Sequence, residues 1–331
     1  MVAARTALSQ AAAFTGVRPM DITRDLAGVA EVLAESFPGE MDTAGERAVR
    51  EMRTVGRLGP LALWLELFMP VGEGFSPGYV WLEQGRVAGN ATIRRAPGLG
   101  RGFLIGNVAV LPEYRGRGIA RRLMEACLDK ARNEGGDWAA LEVRVDNLPA
   151  YHLYMNLGFH QTGAVEQLRR EAIGPAIDRV ELPAGERLRK PRAGEEGRFF
   201  ALTQLVTPEE LRWAEPLRES GFGFGWDRRI DLWLSGRRES WWVIESSGLF
   251  AGAIGAETFH NPNDEGWMRL WVARGNTCHA ALMNAALRAR EIATRPMLVT
   301  HPASDTTALS ALAHYGFRPV RTLAHMKLNL R

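Results

Sequence analysis

Arg115-Gly116-Arg117-Gly118-Ile119-Ala120 is the stretch whose residue types and spacing most directly imply chemistry. The apolar repeat Ile119, Leu123, Cys127 and Ala131, with Arg121, Arg122, Glu125, Asp129 and Arg132 opposite, predicts a helix that starts there and stops at Gly135-Gly136. A helix entered through glycines leaves backbone N–H groups free at the positive end of its dipole, and such an end binds phosphate. Two familiar phosphate loops fail against the letters. No Gly-x-x-x-x-Gly-Lys-Ser/Thr run occurs, and the third position after Gly118 is Arg121 where a dinucleotide loop needs Gly or Ala.

The elements around the loop narrow the choice. An apolar strand, Gly106 to Val110, precedes it and breaks at Leu111-Pro112. A second strand, Ala139 to Val145, follows, then Asn147, a short helix carrying Ala150, Tyr151 and Tyr154, and Leu157-Gly158-Phe159. The segment resembles the acyl-CoA loop of the Gcn5-related N-acetyltransferases, Gln/Arg-x-x-Gly-x-Gly/Ala after a Val-x-Val strand and a Pro. Arg115 to Ala120 matches it at every defined position, behind Val108-Ala109-Val110 and Pro112. Strand, Asn, Tyr-bearing helix and Gly-Phe follow in that family's order.

The resemblance implies acetyl-CoA as acyl donor, with no metal. Backbone N–H groups across Arg115, Gly116, Arg117, Gly118, Ile119 and Ala120 would grip its pyrophosphate, and the strand Val108, Ala109, Val110 would offer an amide to the thioester carbonyl. Asn147 would bond pantetheine or cap its helix. A primary ammonium has a reference pKa of about 10.4, so a base or a water relay is needed at neutral pH. Glu142, five residues before Asn147, takes that role by resemblance. Tyr154 would protonate the departing thiolate, with Tyr151 the competing hydroxyl one turn earlier. Family likeness puts the acceptor wall at Ser36 to Met52 and Val71 to Pro77, where Glu40, Asp42 and Glu46 are acids able to receive an amine.

Composition sets the frame. The chain has 331 residues, 46% hydrophobic and 24% charged, with a formal net charge of +3, which implies no nucleic-acid partner. Its two cysteines, Cys127 and Cys278, form no Cys-x-x-Cys pair, and seven scattered histidines give no metal-ligand spacing. A reduced, cytoplasmic protein is expected, and Cys127 on an apolar helix face reads as a small hydrophobe. No run approaches 18 apolar residues, so no membrane span is expected.

Gly158-Phe159 recurs as Gly316-Phe317, an offset of 158 that recovers a second copy of the whole plan. The expectation is α/β (α+β): two tandem acyl-CoA N-acyltransferase domains, each a mixed, mostly antiparallel sheet flanked by helices. Boundaries are read as a loose tail over 1–15, a catalytic domain over 16–172, a linker over 173–186 and a degenerate copy over 187–331. In the second copy the glycine loop is reduced to Ala273 to His279. At the offset Glu142 becomes Thr300, Asn147 becomes Asp305 and Tyr154 becomes Leu312. The copy's seven tryptophans (Trp213, Trp226, Trp233, Trp241, Trp242, Trp267, Trp271) are expected in its core or over the first domain, more than around a ligand. The expected activity is direct acetyl transfer in a ternary complex to a small primary amine, by a monomer or homodimer. Protein or peptide N-acetylation, and a non-catalytic acyl-CoA sensor, are the alternatives.

Overall fold

The computed structural model describes residues 14–37, 45, 49–50, 52–54, 78–96, 100–172, 180–182, 184–214, 219–225, 228, 232, 235–261 and 263–331. The chain divides into two compact units, each discontinuous in sequence: Met1–Leu141, Leu153–Phe159 and Lys327–Arg331 in one, Glu142–His152 and His160–Met326 in the other.

In the first unit, β1 (Gly16–Pro19) leads to α1 (Ile22–Ser36). Asp21 caps that helix, accepting from the Thr23 N–H at 3.0 Å. An antiparallel meander follows: β2 (Gly78–Glu83), β3 (Arg86–Arg95) and β4 (Gly102–Val110), its first turn made by Gln84 and Gly85 in left-handed conformation. Then come α2 (Ile119–Asn133) and β5 (Trp138–Arg144). The apolar repeat of α2 buries Ile119, Leu123, Met124, Cys127, Leu128 and Ala131. β3 admits the helix because Gly89 has no side chain: a Cβ there would lie 3.3 Å from both Ile119 and Leu123.

β4 and β5 run parallel but pair at only three positions, Gly102↔Trp138, Phe103↔Ala139 and Leu104↔Ala140. Beyond Leu104 the recorded pairing of β4 is with β3 alone, and that ladder slips between Asn90 and Thr92, where Asn107 adopts φ +51°. The strand expected to meet the thioester is thus unpaired with β5 beyond Leu104 on one side and kinked on the other.

The second unit holds β6 (His160–Arg170), β7 (Glu186–Arg189), α4 (Glu196–Val206), β8 (Arg237–Ser246), β9 (Leu249–Phe259) and β10 (Gly266–Val272). α5 (His279–Leu287), α6 (Arg290–Ala293), β11 (Met297–Pro302), α7 (Thr306–His314) and β12 (Arg318–Asn329) complete it, apart from the last residues of β12 and with the short helix α3 (Leu148–Asn156) shared with the first unit. Its strand order is β12-β6-β11-β10-β9-β8-β7. The plan of the first copy returns, including the parting strands: β10 and β11 are parallel and pair only at Gly266↔Met297, Trp267↔Leu298 and Met268↔Val299. Each copy is the expected mixed, mostly antiparallel sheet with helices.

The compact units do not follow the repeat. β6, which closes the first copy in sequence, pairs antiparallel with β11 of the second, from Met297↔Arg170 to Pro302↔Val165. β12, the last strand, is a neighbour of both β5 and β6, with the Val145 N–H donating to the Thr322 carbonyl at 3.1 Å. Residues 1–13, 173–179 and 183 lie outside those described, and so therefore do most of the expected tail and more than half of the expected linker; β7 begins at Glu186.

Of the second-copy tryptophans, Trp241 and Trp271 stack at 6.0 Å and 13° in a core with Phe199, Phe222 and Phe250, as expected. Trp226 and Trp233 lie outside the described residues. No described helix is long and apolar enough to cross a membrane.

Candidate active site

The loop between β4 and α2 is shaped by two left-handed glycines. Gly116 has φ +77° and Gly118 φ +74°, and a Cβ on either would find nothing within 4 Å, so the space over both is open. Gly118 is the N-cap of α2, with no side-chain cap and no acid in the first turn. The first N–H groups of this 15-residue helix therefore have neither an intrahelical nor a capping partner.

The arginines fold away from that opening. Arg115 Nε donates to the Val110 carbonyl at 3.0 Å, tying the loop to the end of β4. Arg117 donates to the Glu113 carbonyl at 3.2 Å with its guanidinium 5.1 Å from the Tyr114 ring, and Arg121 pairs with Glu125. What remains facing outward is backbone, which suits a pyrophosphate.

Along β4, Val108 is half-buried and Ala109 and Val110 are buried. Asn90 on β3 donates from Nδ2 to the Asn107 carbonyl at 2.9 Å, pinning the kink, while its Oδ1 is buried without a partner.

Tyr154 is buried at 6% exposure, edge-to-face with Phe159 at 6.1 Å, and burial raises its phenol above the ordinary range. It is protonated at any physiological pH, as an acid must be, and a weaker acid than free phenol. Tyr151, the competing hydroxyl, is engaged with Gln161 Oε1 at 3.0 Å.

Asn147 Oδ1 accepts from the Ala150 N–H at 3.3 Å, the N-cap arrangement. At the 158 offset Asp305 accepts from the Ala308 N–H at 3.0 Å, so the cap survives the change of residue. Asp305 also pairs with His301 Nε2 at 3.0 Å, and that bond, ahead of the cap and nearby charge, holds its carboxyl down at about 2. Leu312, in the place of Tyr154, is fully buried.

Glu142 sits on β5 with its side chain 43% exposed, its Oε1 3.2 Å from Nε2 of His325 on β12. His325 is 2% exposed, neither ring nitrogen makes a well-formed hydrogen bond, and its ring lies 5.0 Å from that of Trp213. Sequence reasoning missed His325, because nothing in the spacing links it to Glu142. Burial pushes both Cys127 and Cys278 up to about 12, which leaves them as unreactive thiols at neutral pH.

Among the described residues no group of three or more His, Cys, Asp or Glu is placed to hold a metal ion. The expected acceptor walls fall mainly outside the described residues, as do Glu40, Asp42 and Glu46.

Comparison with known proteins follows the same lines. Residues 47–159 match the acetyltransferase (GNAT) family. N-alpha-acetyltransferase 30 of Schizosaccharomyces pombe is 46% identical over 59 residues, 18% of this chain and 39% of that protein. The chain thus spans about two fifths of the length of the curated relatives it matches. The tandem GNAT protein from the clavulanic acid biosynthesis pathway superposes with a TM-score of 0.64 at 16% identity, over 96% of this chain and 99% of that one. A GCN5-related N-acetyltransferase from Sphaerobacter thermophilus does so with a TM-score of 0.65 at 16% identity, over 95% of each. At that identity the likeness is one of fold, and it extends over both copies.

Proposed function

We propose that this chain, whose residues 47–159 match the acetyltransferase (GNAT) family and whose fold is like that of a tandem GNAT protein, is an acetyl-CoA-dependent N-acetyltransferase acting on the primary amine of a small molecule by direct transfer in a ternary complex. The observation that carries this reading is the N-terminus of α2, uncapped, entered through two left-handed glycines and open above both.

In the proposed reaction the N–H groups from Gly116 to Ala120 hold the pyrophosphate, and an amide of Val108 to Val110 polarises the thioester carbonyl. Glu142 takes a proton from the acceptor, directly or through water, and the amine nitrogen attacks the carbonyl carbon. The C–N bond forms, the C–S bond breaks, and Tyr154 gives its proton to the thiolate. Asn147 caps its helix and in doing so sets the position of Tyr154, two turns on. The second copy keeps the scaffold without the paired glycines, and the proposal assigns it no transfer of its own.

Free-thiol release from acetyl-CoA, measured against a panel of small amines and short peptides, tests the reading. Release with small amines is the expected result; binding of acetyl-CoA with no release for any acceptor favours a sensor. A peptide N-terminus is the second reading, favoured by relatives named N-alpha-acetyltransferase, and release with peptides alone would establish it.

A further inference from the structure

The second unit contains a cavity of about 600 Å³, within the size range of small-molecule sites. It lies where β10 parts from β11 and continues across β6 and β12 to Glu142 on β5. Its apolar walls include Val165, Leu211, Trp267 and Leu323. At its β5 end stands the half-exposed Glu142 carboxylate, backed by the buried His325 ring.

That end is polar and incompletely satisfied. His325 Nδ1 and the Nε1 of Trp213, whose ring lies against His325, are buried without hydrogen-bond partners, and His325 Nε2 has only the 3.2 Å approach to Glu142 Oε1. What this end offers a ligand is the half-exposed Glu142 carboxylate. The cations that line the cavity, Arg269 and Arg274, come from β10 and the turn after it. Three strands, β12, β6 and β11, stand between β5 and β10, a separation of roughly 19 Å at the usual strand spacing. The Glu142 carboxylate therefore meets a ligand without those cations against it. The second acid of the cavity, Asp305, is occupied by His301 and the Ala308 N–H.

We propose that this cavity binds a small primary amine with an apolar body, its nitrogen against Glu142 and its body along Leu323, Leu211 and Val165. An ammonium supplies N–H donors to the Glu142 carboxylate, and charge-assisted bonds of this kind are the strong ones. His325 is a positioning residue: it fixes Glu142 from behind. The inference rests on the transferase reading only in making this amine the acetyl acceptor.

Calorimetric titration without acetyl-CoA, using phenethylamine and its neutral isostere 2-phenylethanol on the full chain, tests it. Phenethylamine is expected to bind at least about tenfold tighter than the alcohol and to lose about tenfold in Glu142→Gln. Ala214→Trp, at a residue that lines the cavity, is expected to abolish binding of both. Addition of phenethylamine should shift the His325 ring resonances in wild type and leave them in place in Glu142→Gln, a readout that a purely structural histidine would not give. Equal binding of amine and alcohol, no binding of the amine, or an affinity indifferent to Glu142→Gln would overturn the assignment. Binding without thiol release would retire the transferase reading and leave the pocket standing. Thiol release from acetyl-CoA with phenethylamine as acceptor, unaffected by Ala214→Trp, would do the reverse.

Discussion

Glu142 Oε1 lies 3.2 Å from His325 Nε2, which joins a strand of the first copy to the last strand of the chain. The proposed base therefore stands against a residue of the second copy, so on the proposed mechanism a copy without the glycine loop helps to place it.

Glu142→Gln is expected to lower kcat about 100-fold near neutral pH and to move the rate profile toward higher pH, because the amine must then lose its proton to solvent. Acetyl-CoA affinity should not change. A profile that keeps its shape in the variant would remove Glu142 from the proton path.

Tyr154→Phe keeps the buried ring and removes the hydroxyl. The volume is conserved, so the fold should lose less than about 1.5 kcal/mol, while turnover falls about 100-fold with unchanged acetyl-CoA affinity. Since burial raises the phenol, wild-type turnover should show no alkaline loss from this group below its ordinary value of about 10. Full turnover in the variant would move the acid role to another group.

Gly118→Ala tests the phosphate loop. With φ +74° and nothing within 4 Å of a Cβ, the cost is backbone strain of about 1–2 kcal/mol without a packing clash. Titration with acetyl-CoA should show affinity weakened about tenfold. A variant that binds as tightly as wild type would place the pyrophosphate elsewhere.

Asp305→Asn keeps a cap and removes a carboxylate whose acidity is held down at about 2 by His301. A depressed folded value contributes stability that is present above the unfolded value near 3.8 and lost as pH falls toward 2. Denaturant titrations should find wild type more stable than the variant by on the order of 1–2 kcal/mol at pH 6, the gap closing between about pH 4 and pH 2. A gap that stays constant over that range would assign the stabilisation to something other than the carboxylate.

Direct transfer predicts that neither thiol is used. Cys127 and Cys278, each pushed up to about 12, should resist iodoacetamide in the native protein at pH 7.5, and the Cys127→Ala and Cys278→Ala variants should retain turnover. An acetyl group trapped on either cysteine in the absence of acceptor would replace the ternary-complex route.

The sequence by itself determined what is local. Arg115 to Ala120 specifies a glycine-entered helix because φ near +75° is open to glycine, and the period of Ile119, Leu123, Cys127 and Ala131 fixes the face that helix buries. The duplication was legible too, since each copy repeats its meander and its parting strands at roughly the same period. Only the tertiary structure decided which strands close which copy: β6 pairs with β11, and β12 lies beside β5. Strand pairing between distant segments depends on edges that become available once sheets exist, and a strand's own residues carry no label for its partner. That exchange is what brings His325 to Glu142 and extends a cavity from Trp267 across to β5, through contacts between side chains far apart in the chain.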